Sequence, residues 1–160
     1  MRSIRPVRGF YLVDGRRIYA EQHGIRRDGQ PVIVIEVGST QAGTKDRGWW
    51  PVRDAVARKA QVLFYDRAGL GESDPAQLPR TIADFTKDLR ALLQAAQIDP
   101  PYLLVGGSFG GLIVTHYAAL YPGEVAGIVL GTVRNTDSGA WRASSNIHST
   151  PARSATLPIS

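Results

Sequence analysis

The stretch that decides the fold is Tyr102-Leu-Leu-Val-Gly-Gly-Ser-Phe-Gly-Gly-Leu-Ile-Val114. An apolar run ends at Val105, four glycines surround Ser108, and apolar sequence then resumes. The segment Gly106–Gly110 satisfies the pattern G-x-S-x-G, in which a serine stands at a sharp turn between a strand and a helix. Its two outer glycines leave room for neighbouring backbone, and the helix that follows points free N–H groups at any negative charge beside the serine. The stretch therefore predicts a buried strand, a nucleophile elbow and a helix.

Two other interpretations of this stretch are a glycine-rich turn that merely joins a strand to a helix, and a loop that cradles a phosphate. A phosphate loop is disfavoured because no Gly-Lys-Ser/Thr follows the glycines. No acidic residue stands where a dinucleotide site would need one either. The apolar strand and helix patterns on either side favour the elbow.

The composition is that of one globular domain. The chain is 43% hydrophobic and 21% charged, which are values typical of globular proteins. Its 160 residues are enough for a substantial core but too few for two ordinary domains. No apolar run approaches the roughly 18 residues that span a bilayer, and the N-terminus lacks the apolar region of a secretory signal. The sequence contains no cysteine, which excludes disulfides and thiolate metal sites. We therefore expect a cytoplasmic protein with no membrane partner.

The net charge of +5 raises the question of an acidic or nucleic-acid partner. The arginines are spread along the chain in ones and twos, with Arg16-Arg17 and Arg26-Arg27 as the densest pairs. The sequence shows neither a basic helix nor a basic patch interleaved with aromatic residues. We interpret the charge as solvated surface and expect no nucleic-acid partner.

The segments before the elbow alternate between strand and helix patterns. Residues 10–23 predict two short strands around a hairpin turn at Asp14-Gly15. The clearest helix pattern opens with a capping pair, Thr81 and Asp84. The remaining predictions are buried strands at 32–37 and 61–65 and helices over about 52–60 and 81–97.

The regular alternation of strand and helix patterns stops soon after the elbow. The helix continues to Tyr121 and is stopped by Pro122-Gly123, and residues 125–130 predict one more short buried strand. Residues 133–160 are dominated by small and polar residues with neither helical nor strand periodicity. They cannot bury enough surface to offset their ordering entropy, so we predict a core over residues 1–132 and a low-complexity, disordered tail over 133–160.

Strands that alternate with helices predict an α/β fold, a mostly parallel sheet with flanking helices. Ser39, Asp66 and Ser108 each follow a predicted strand. Because the carboxyl ends of parallel strands share one edge of the sheet, these residues are expected to converge where such folds place their sites. This convergence favours a catalytic function.

Three motifs, in this order along the chain, resemble those of the α/β-hydrolase fold enzymes. Val32–Gly38 looks like the strand and turn that carry one oxyanion donor, and Asp66–Ser73 looks like the D-R-x-G-x-G-x-S turn. Gly106–Gly111 looks like the elbow. The resemblance covers about residues 10–132 and is strongest to the small esterase-, lipase- and peroxidase-like members. It implies an α/β-hydrolase-like core that is truncated after the strand following the elbow.

The resemblance also implies a role for each matched residue. Ser108 would be the nucleophile, and the main-chain N–H groups of Ser39 and Phe109 would form the oxyanion hole. A serine at this position argues against the dehalogenase and epoxide-hydrolase branches. Neither a cofactor nor a metal is implied. The other matched residues are interpreted as structural turn residues: Gly38, Asp66, Arg67, Gly69, Gly71, Gly106 and Gly110.

Two positions depart from the family pattern, since Val37 and Gly107 stand where many relatives have histidine. An extra glycine at the elbow is expected to loosen it by about 0.5–1 kcal/mol. The oxyanion donors are main-chain groups, so neither change removes one.

The base and the acid are less clearly placed, because the family order is serine, then an acid, then a histidine after later strands. His116 follows Ser108 by eight residues of helix, or roughly 12 Å, and is interpreted as a surface or packing residue. His23 is predicted to lie at a sheet edge far from the elbow. His148, with Asp137 as the nearby acid, is the candidate base if the tail folds back.

Two classes of function remain open at this point. The first is a serine hydrolase that acts on an ester- or amide-like small molecule, whose identity the sequence does not specify. The second is a catalytically incomplete hydrolase that binds a partner or a second copy along the open edge left by residues 125–130. The tail composition is also what a truncated or frame-shifted hydrolase reading frame would give, which the other frames of the encoding DNA would test.

Overall fold

The computed structural model describes residues 5–39 and 43–131. Six strands in this part form one sheet, in the order β1-β2-β4-β3-β5-β6. The strands are β1 (Val7–Val13), β2 (Arg16–His23), β3 (Val32–Glu36), β4 (Val62–Tyr65), β5 (Tyr102–Gly107) and β6 (Val125–Gly131). The helices are α1 (Trp50–Ala57), α2 (Ile82–Ala95) and α3 (Phe109–Leu120), and short 3-10 turns precede α1 and β6.

The predicted hairpin is confirmed as β1 and β2, which pair in antiparallel register with Val13 opposite Arg16. Asp14 and Gly15 both have positive φ, 49° and 74°, as a two-residue hairpin turn requires. The placement of His23 at a sheet edge was wrong. The second half of β2 also pairs with β4, with His23 opposite Val62, so β2 lies inside the sheet.

The strands β3, β4, β5 and β6 run parallel and form the centre of the fold. Every residue of β3 is buried, because helices cover both faces of the sheet there, as its apolar run predicted. Glu36 at the end of β3 pairs with Gly106 near the end of β5. The carboxyl ends of these two strands, where the predicted site residues begin, are therefore adjacent.

The helices pack on opposite faces of the sheet. Alternate strand residues such as Val34 and Leu104 contact α2 and α3, whereas Ile35 and Phe64 face the side covered by α1. This division gives two clusters of buried side chains separated by the sheet, the arrangement expected for an α/β domain.

The predicted helices are confirmed with small changes of boundary. Thr81 caps α2 through a capping box, in which its hydroxyl accepts from the Asp84 N–H and the Asp84 carboxylate accepts from the Thr81 N–H. The helix α1 begins two residues earlier than predicted. Pro51 stands in its first turn, where the missing N–H costs no hydrogen bond.

In the described part of the chain, β6 forms one edge of the sheet and β1 forms the other. Leu130 on β6 is 39% exposed. The predicted tail over residues 133–160 lies outside the described residues. Among the helices of residues 5–39 and 43–131, none combines the length and apolarity needed to cross a membrane.

Glu124, the residue before β6, hydrogen-bonds side chains of both α2 and α3. Its carboxylate accepts from the Arg90 guanidinium at 2.7 Å and from the Tyr117 hydroxyl at 2.6 Å. The hydrogen bond from Arg90 is the main cause that lowers the pKa of Glu124 below its ordinary 4.5, with Tyr117 adding to it and burial opposing both. The ionised carboxylate therefore stabilises the folded state above pH 4.5, and this contribution is lost as the pH falls through the lowered value.

A pH series of urea denaturations tests this linkage. We expect the wild-type protein to lose more stability than the Glu124→Gln variant as the pH falls from neutrality to below 4.5. The variant has no carboxylate to protonate at this position. Equal losses in the two proteins would contradict the expectation.

Candidate active site

Ser108 stands between β5 and α3 in a backbone conformation that L residues rarely adopt. Its φ and ψ are 51° and −119°, and its side chain is exposed. Such a conformation costs on the order of 1–3 kcal/mol and persists only where the surroundings enforce it. The predicted elbow is therefore present, with the serine hydroxyl at the carboxyl end of the central parallel strands.

The glycines of the elbow are explained by what surrounds them. A β-carbon on Gly106 would lie 2.6 Å from the Val114 side chain, and one on Gly110 would lie 2.2 Å from the Glu36 carbonyl oxygen. Gly107, which we expected only to loosen the turn, has a packing role. A β-carbon there would lie 2.5 Å from the ring of Trp49.

The backbone beside Ser108 comes from the segment that follows β3. A β-carbon on Gly38 would lie 3.4 Å from the β-carbon of Ser108, so the Gly38–Ser39 peptide runs directly past the elbow. Phe109 is the first residue of α3, and its N–H has no acceptor within the helix. The N–H groups of Ser39 and Phe109, predicted as oxyanion donors, thus belong to two different segments beside the serine. Ser39 follows β3, and Phe109 begins α3.

The Asp66 carboxylate is fully buried and organises two loops. Its oxygens accept from the N–H of Thr44 and, at 2.9 Å, from the N–H of Glu72. β-Carbons on Gly43 and Gly71 would lie 2.2 and 2.1 Å from these oxygens, so only glycine fits at either position. These contacts support the interpretation of Asp66 as a structural residue of the turn.

The Ser73 side chain hydrogen-bonds the turn from Asp66 to Ser73 to strand β2 of the hairpin. The Ser73 hydroxyl donates to the Asp66 carbonyl at 2.7 Å and accepts from the Tyr19 N–H at 2.8 Å. Gly69 and Gly71 have φ values of 83° and 50°, which explains the two glycines of the motif.

Arg67 belongs to a buried ionic cluster that the sequence analysis did not single out. Its guanidinium donates to the Glu36 carboxylate and to the main-chain oxygens of Val37 and Gly38. The Tyr65 hydroxyl donates to the other oxygen of Glu36. The available signal was a single carboxylate within the β-branched run of β3, where an unpaired charge would be costly.

Burial governs the ionisation of this cluster. It raises the pKa of Glu36 above its ordinary value, while the charge and hydrogen bonds of Arg67 and Tyr65 act in the opposite direction. Burial, followed by the nearby Glu36 charge, raises the pKa of Tyr65 well above its ordinary value. Tyr65 therefore remains a hydrogen-bond donor throughout the neutral range.

Comparison with known proteins identifies the family to which this fold belongs. Residues 31–145 match the family model described as the alpha/beta hydrolase fold. The chain belongs to the alpha/beta hydrolase fold family. The matched segment runs past residue 131, beyond the part that the structure describes.

The relatives of this alpha/beta hydrolase are considerably longer than the chain itself. It is 34% identical to the uncharacterized protein YqjL of Bacillus subtilis over 120 residues, which are 75% of this chain and 46% of YqjL. It is 29% identical to a proline iminopeptidase of Arabidopsis thaliana, covering 73% of this chain and 30% of that protein. A solved alpha/beta hydrolase of Novosphingobium aromaticivorans superposes with a TM-score of 0.67 at 25% identity, covering 84% and 46% of the two chains. The chain thus spans less than half the length of each.

The structure does not bring the histidines of the described residues to the elbow. His116 lies on α3 and its Nδ1 hydrogen-bonds the Thr86 hydroxyl of α2 at 3.0 Å, which is a packing contact. His23 hydrogen-bonds Glu21 at 2.7 Å. It pairs with the first residue of β4, at the end of the sheet opposite to Ser108.

The candidate acid and base, Asp137 and His148, lie outside the described residues. Within residues 5–39 and 43–131, the Ser108 hydroxyl makes no hydrogen bond to an imidazole or a carboxylate. The same residues contain no cluster of three or more His, Asp or Glu side chains that could hold a metal ion.

Proposed function

We propose that this protein is a serine hydrolase that cleaves an ester- or amide-like small molecule through an acyl-enzyme on Ser108. The observation that carries the proposal is an exposed serine, Ser108, held at a positive φ beside the Gly38–Ser39 peptide and at the start of α3. Family membership supports hydrolysis as the reaction class. The similarity to a proline iminopeptidase supports an amide-like bond among the possible substrates.

In the proposed reaction, the Ser108 oxygen attacks the substrate carbonyl carbon, and the carbonyl oxygen takes up negative charge. The N–H groups of Ser39 and Phe109 stabilise that oxygen, and each such donor is worth roughly 10²–10³ in rate. Collapse of the intermediate expels the alcohol or amine and leaves the acyl group on Ser108. Water then attacks the acyl carbon, which releases the acid and restores the serine hydroxyl.

The proposed base is His148, and Asp137 is proposed to orient it. A base beside the hydroxyl accepts the serine proton during attack and returns it to the leaving group, which contributes typically 10²–10⁴ in rate. Without such a base, the oxyanion hole and substrate binding together give a residual acceleration of roughly 10³–10⁴ over water.

The second candidate is a catalytically incomplete hydrolase that acts by binding. It is favoured by the described part of the chain, in which no histidine contacts Ser108. The binding surface would be the β6 edge of the described sheet, whose main-chain groups can pair with a strand of a second copy. This proposal predicts association without an activated serine.

Labelling with a fluorophosphonate probe separates the two candidates. We expect wild-type protein to be labelled at Ser108 and the Ser108→Ala variant to lose labelling completely, because the probe reacts only with an activated serine oxygen. The control is Thr115→Ala, which removes another exposed hydroxyl of α3 and should leave labelling unchanged. Circular dichroism would establish that all three proteins are folded. Folded wild-type protein that remains unlabelled would favour the binding protein.

A further inference from the structure

We infer that Arg67, anchored by Glu36, is a positioning residue that fixes the direction of the Ser39 N–H. The inference rests on the proposed function for its catalytic consequence, but the geometry on which it depends is independent of activity. It extends the structural interpretation of Arg67 from stabilising a turn to orienting one donor of the oxyanion hole.

Arg67 holds the peptide between Gly38 and Ser39 by its carbonyl oxygen. The Arg67 guanidinium donates to the Gly38 carbonyl oxygen at 2.5 Å and to the Val37 carbonyl oxygen at 2.6 Å. The Gly38 C=O and the Ser39 N–H belong to one planar trans peptide, so they point in opposite directions. Fixing the oxygen on Arg67 therefore fixes the direction in which the Ser39 N–H points.

Arg67 is itself held by a buried carboxylate, that of Glu36. Its side chain is 6% exposed, and the Glu36 carboxylate with which it pairs is 0% exposed. The Tyr65 hydroxyl occupies the other carboxylate oxygen, which leaves Glu36 no alternative orientation without breaking a buried hydrogen bond. The guanidinium thus has a fixed position relative to the ends of β3 and β4.

Arg67 also contacts the start of α3, on the other side of the elbow. Its guanidinium carbon lies 5.4 Å from the ring centroid of Phe109, the residue that supplies the second proposed donor. The Phe109 ring in turn packs edge-on against Phe85, with ring centroids 5.4 Å apart. One buried side chain therefore contacts both segments that flank Ser108.

The positive charge of Arg67 also affects how strongly the Ser39 N–H donates a hydrogen bond. A hydrogen bond from a cation to a carbonyl oxygen polarises the peptide, and polarised groups in a chain strengthen one another. The Ser39 N–H should therefore be a stronger donor than an N–H whose peptide oxygen is solvated. A lysine at position 67 would keep the charge, but it lacks the planar fork that reaches two carbonyls and a carboxylate together.

The test compares Arg67→Met and Arg67→Lys with a matched control, Arg90→Met. The control removes another arginine that pairs with a glutamate and stacks on an aromatic ring, with no contact to the elbow. The primary measurement is the ¹⁵N order parameter of the Ser39 amide. We expect about 0.85 in wild-type protein and in Arg90→Met, and less than about 0.6 in both Arg67 variants.

The second measurement is the rate of fluorophosphonate labelling. We expect Arg67→Met to reduce it roughly 10²–10³-fold, the effect of losing one oxyanion donor, and Arg67→Lys to recover only part of the loss. Arg90→Met should label at the wild-type rate.

The outcomes separate this inference from the proposed function. An unchanged order parameter at Ser39 in folded Arg67→Lys or Arg67→Met overturns the inference, whatever the labelling shows. Unlabelled wild-type protein overturns the proposed function, while the order parameters still decide the role of Arg67. If Arg67→Met does not fold, the Ser39 order parameter of Arg67→Lys decides the role of Arg67. This variant is expected to fold because it keeps a positive charge opposite Glu36.

Discussion

Replacing Gly110 by alanine is expected to destabilise the protein by about 3 kcal/mol or more, the upper end of the range for overpacking a core. The added β-carbon would lie 2.2 Å from the Glu36 carbonyl oxygen and 2.6 Å from the Val37 carbonyl oxygen. Both are main-chain atoms of the segment packed beneath α3, so no side-chain rotation can relieve the contact. Either α3 or the end of β3 must move, and each of them positions a part of the candidate site.

The neighbouring glycine provides the control. A β-carbon on Gly111 would meet nothing closer than the Leu130 side chain at 3.4 Å, which is ordinary contact. Gly111→Ala should leave stability unchanged or increase it by up to about 1 kcal/mol, because alanine is the better helix former. Urea denaturation followed by circular dichroism measures both variants. Equal stabilities of Gly110→Ala and Gly111→Ala would show that the close packing at the elbow does not exist.

Replacing Glu36 by alanine is expected to cost about 3–5 kcal/mol of stability, the range measured when one partner of a buried ion pair is removed. The Arg67 guanidinium would remain buried without its counter-charge, and the Tyr65 hydroxyl would lose its acceptor. Against a total stability of about 5–15 kcal/mol, such a loss is a large fraction.

Two further variants test whether the loss comes from the unpaired charge. Glu72→Ala breaks the exposed ion pair with Lys45, in which both side chains are largely solvated, and should leave stability nearly unchanged. The double variant Glu36→Leu with Arg67→Met removes both charges and should recover much of the loss. A double variant as unstable as Glu36→Ala would mean that the lost hydrogen bonds of Tyr65 and of the Val37 and Gly38 carbonyls, rather than the unpaired arginine, dominate.

Local patterns in the sequence predicted the elements around the site. The Asp14-Gly15 turn, the capping box of Thr81 and Asp84, and the serine between two apolar runs each depend on interactions within a few residues. Such short-range interactions are encoded by neighbouring residues, so single-sequence reasoning finds them. The shift of α1 by two residues reflects the usual difficulty of locating the first turn of a short helix.

The contacts that the sequence did not reveal all join distant segments. The pairing of β2 with β4, which places His23 inside the sheet, joins segments 39 to 45 residues apart. The packing of Trp49 on Gly107 and the pairing of Glu36 with Arg67 are likewise long-range. A lone carboxylate in an apolar strand indicates that a partner exists, but only the strand order identifies the partner.

The sequence by itself determined that this chain has an α/β-hydrolase fold with a serine at an elbow, because glycine positions, apolar runs and turn residues act locally. The tertiary structure decided what holds the backbone beside that serine in place. The carboxyl ends of β3 and β5 become neighbours only when the parallel strands pair, and this pairing brings the Gly38–Ser39 peptide to Ser108. The parallel pairing of β3 with β4 likewise brings Arg67, which follows β4, within reach of Glu36 and the Gly38 carbonyl.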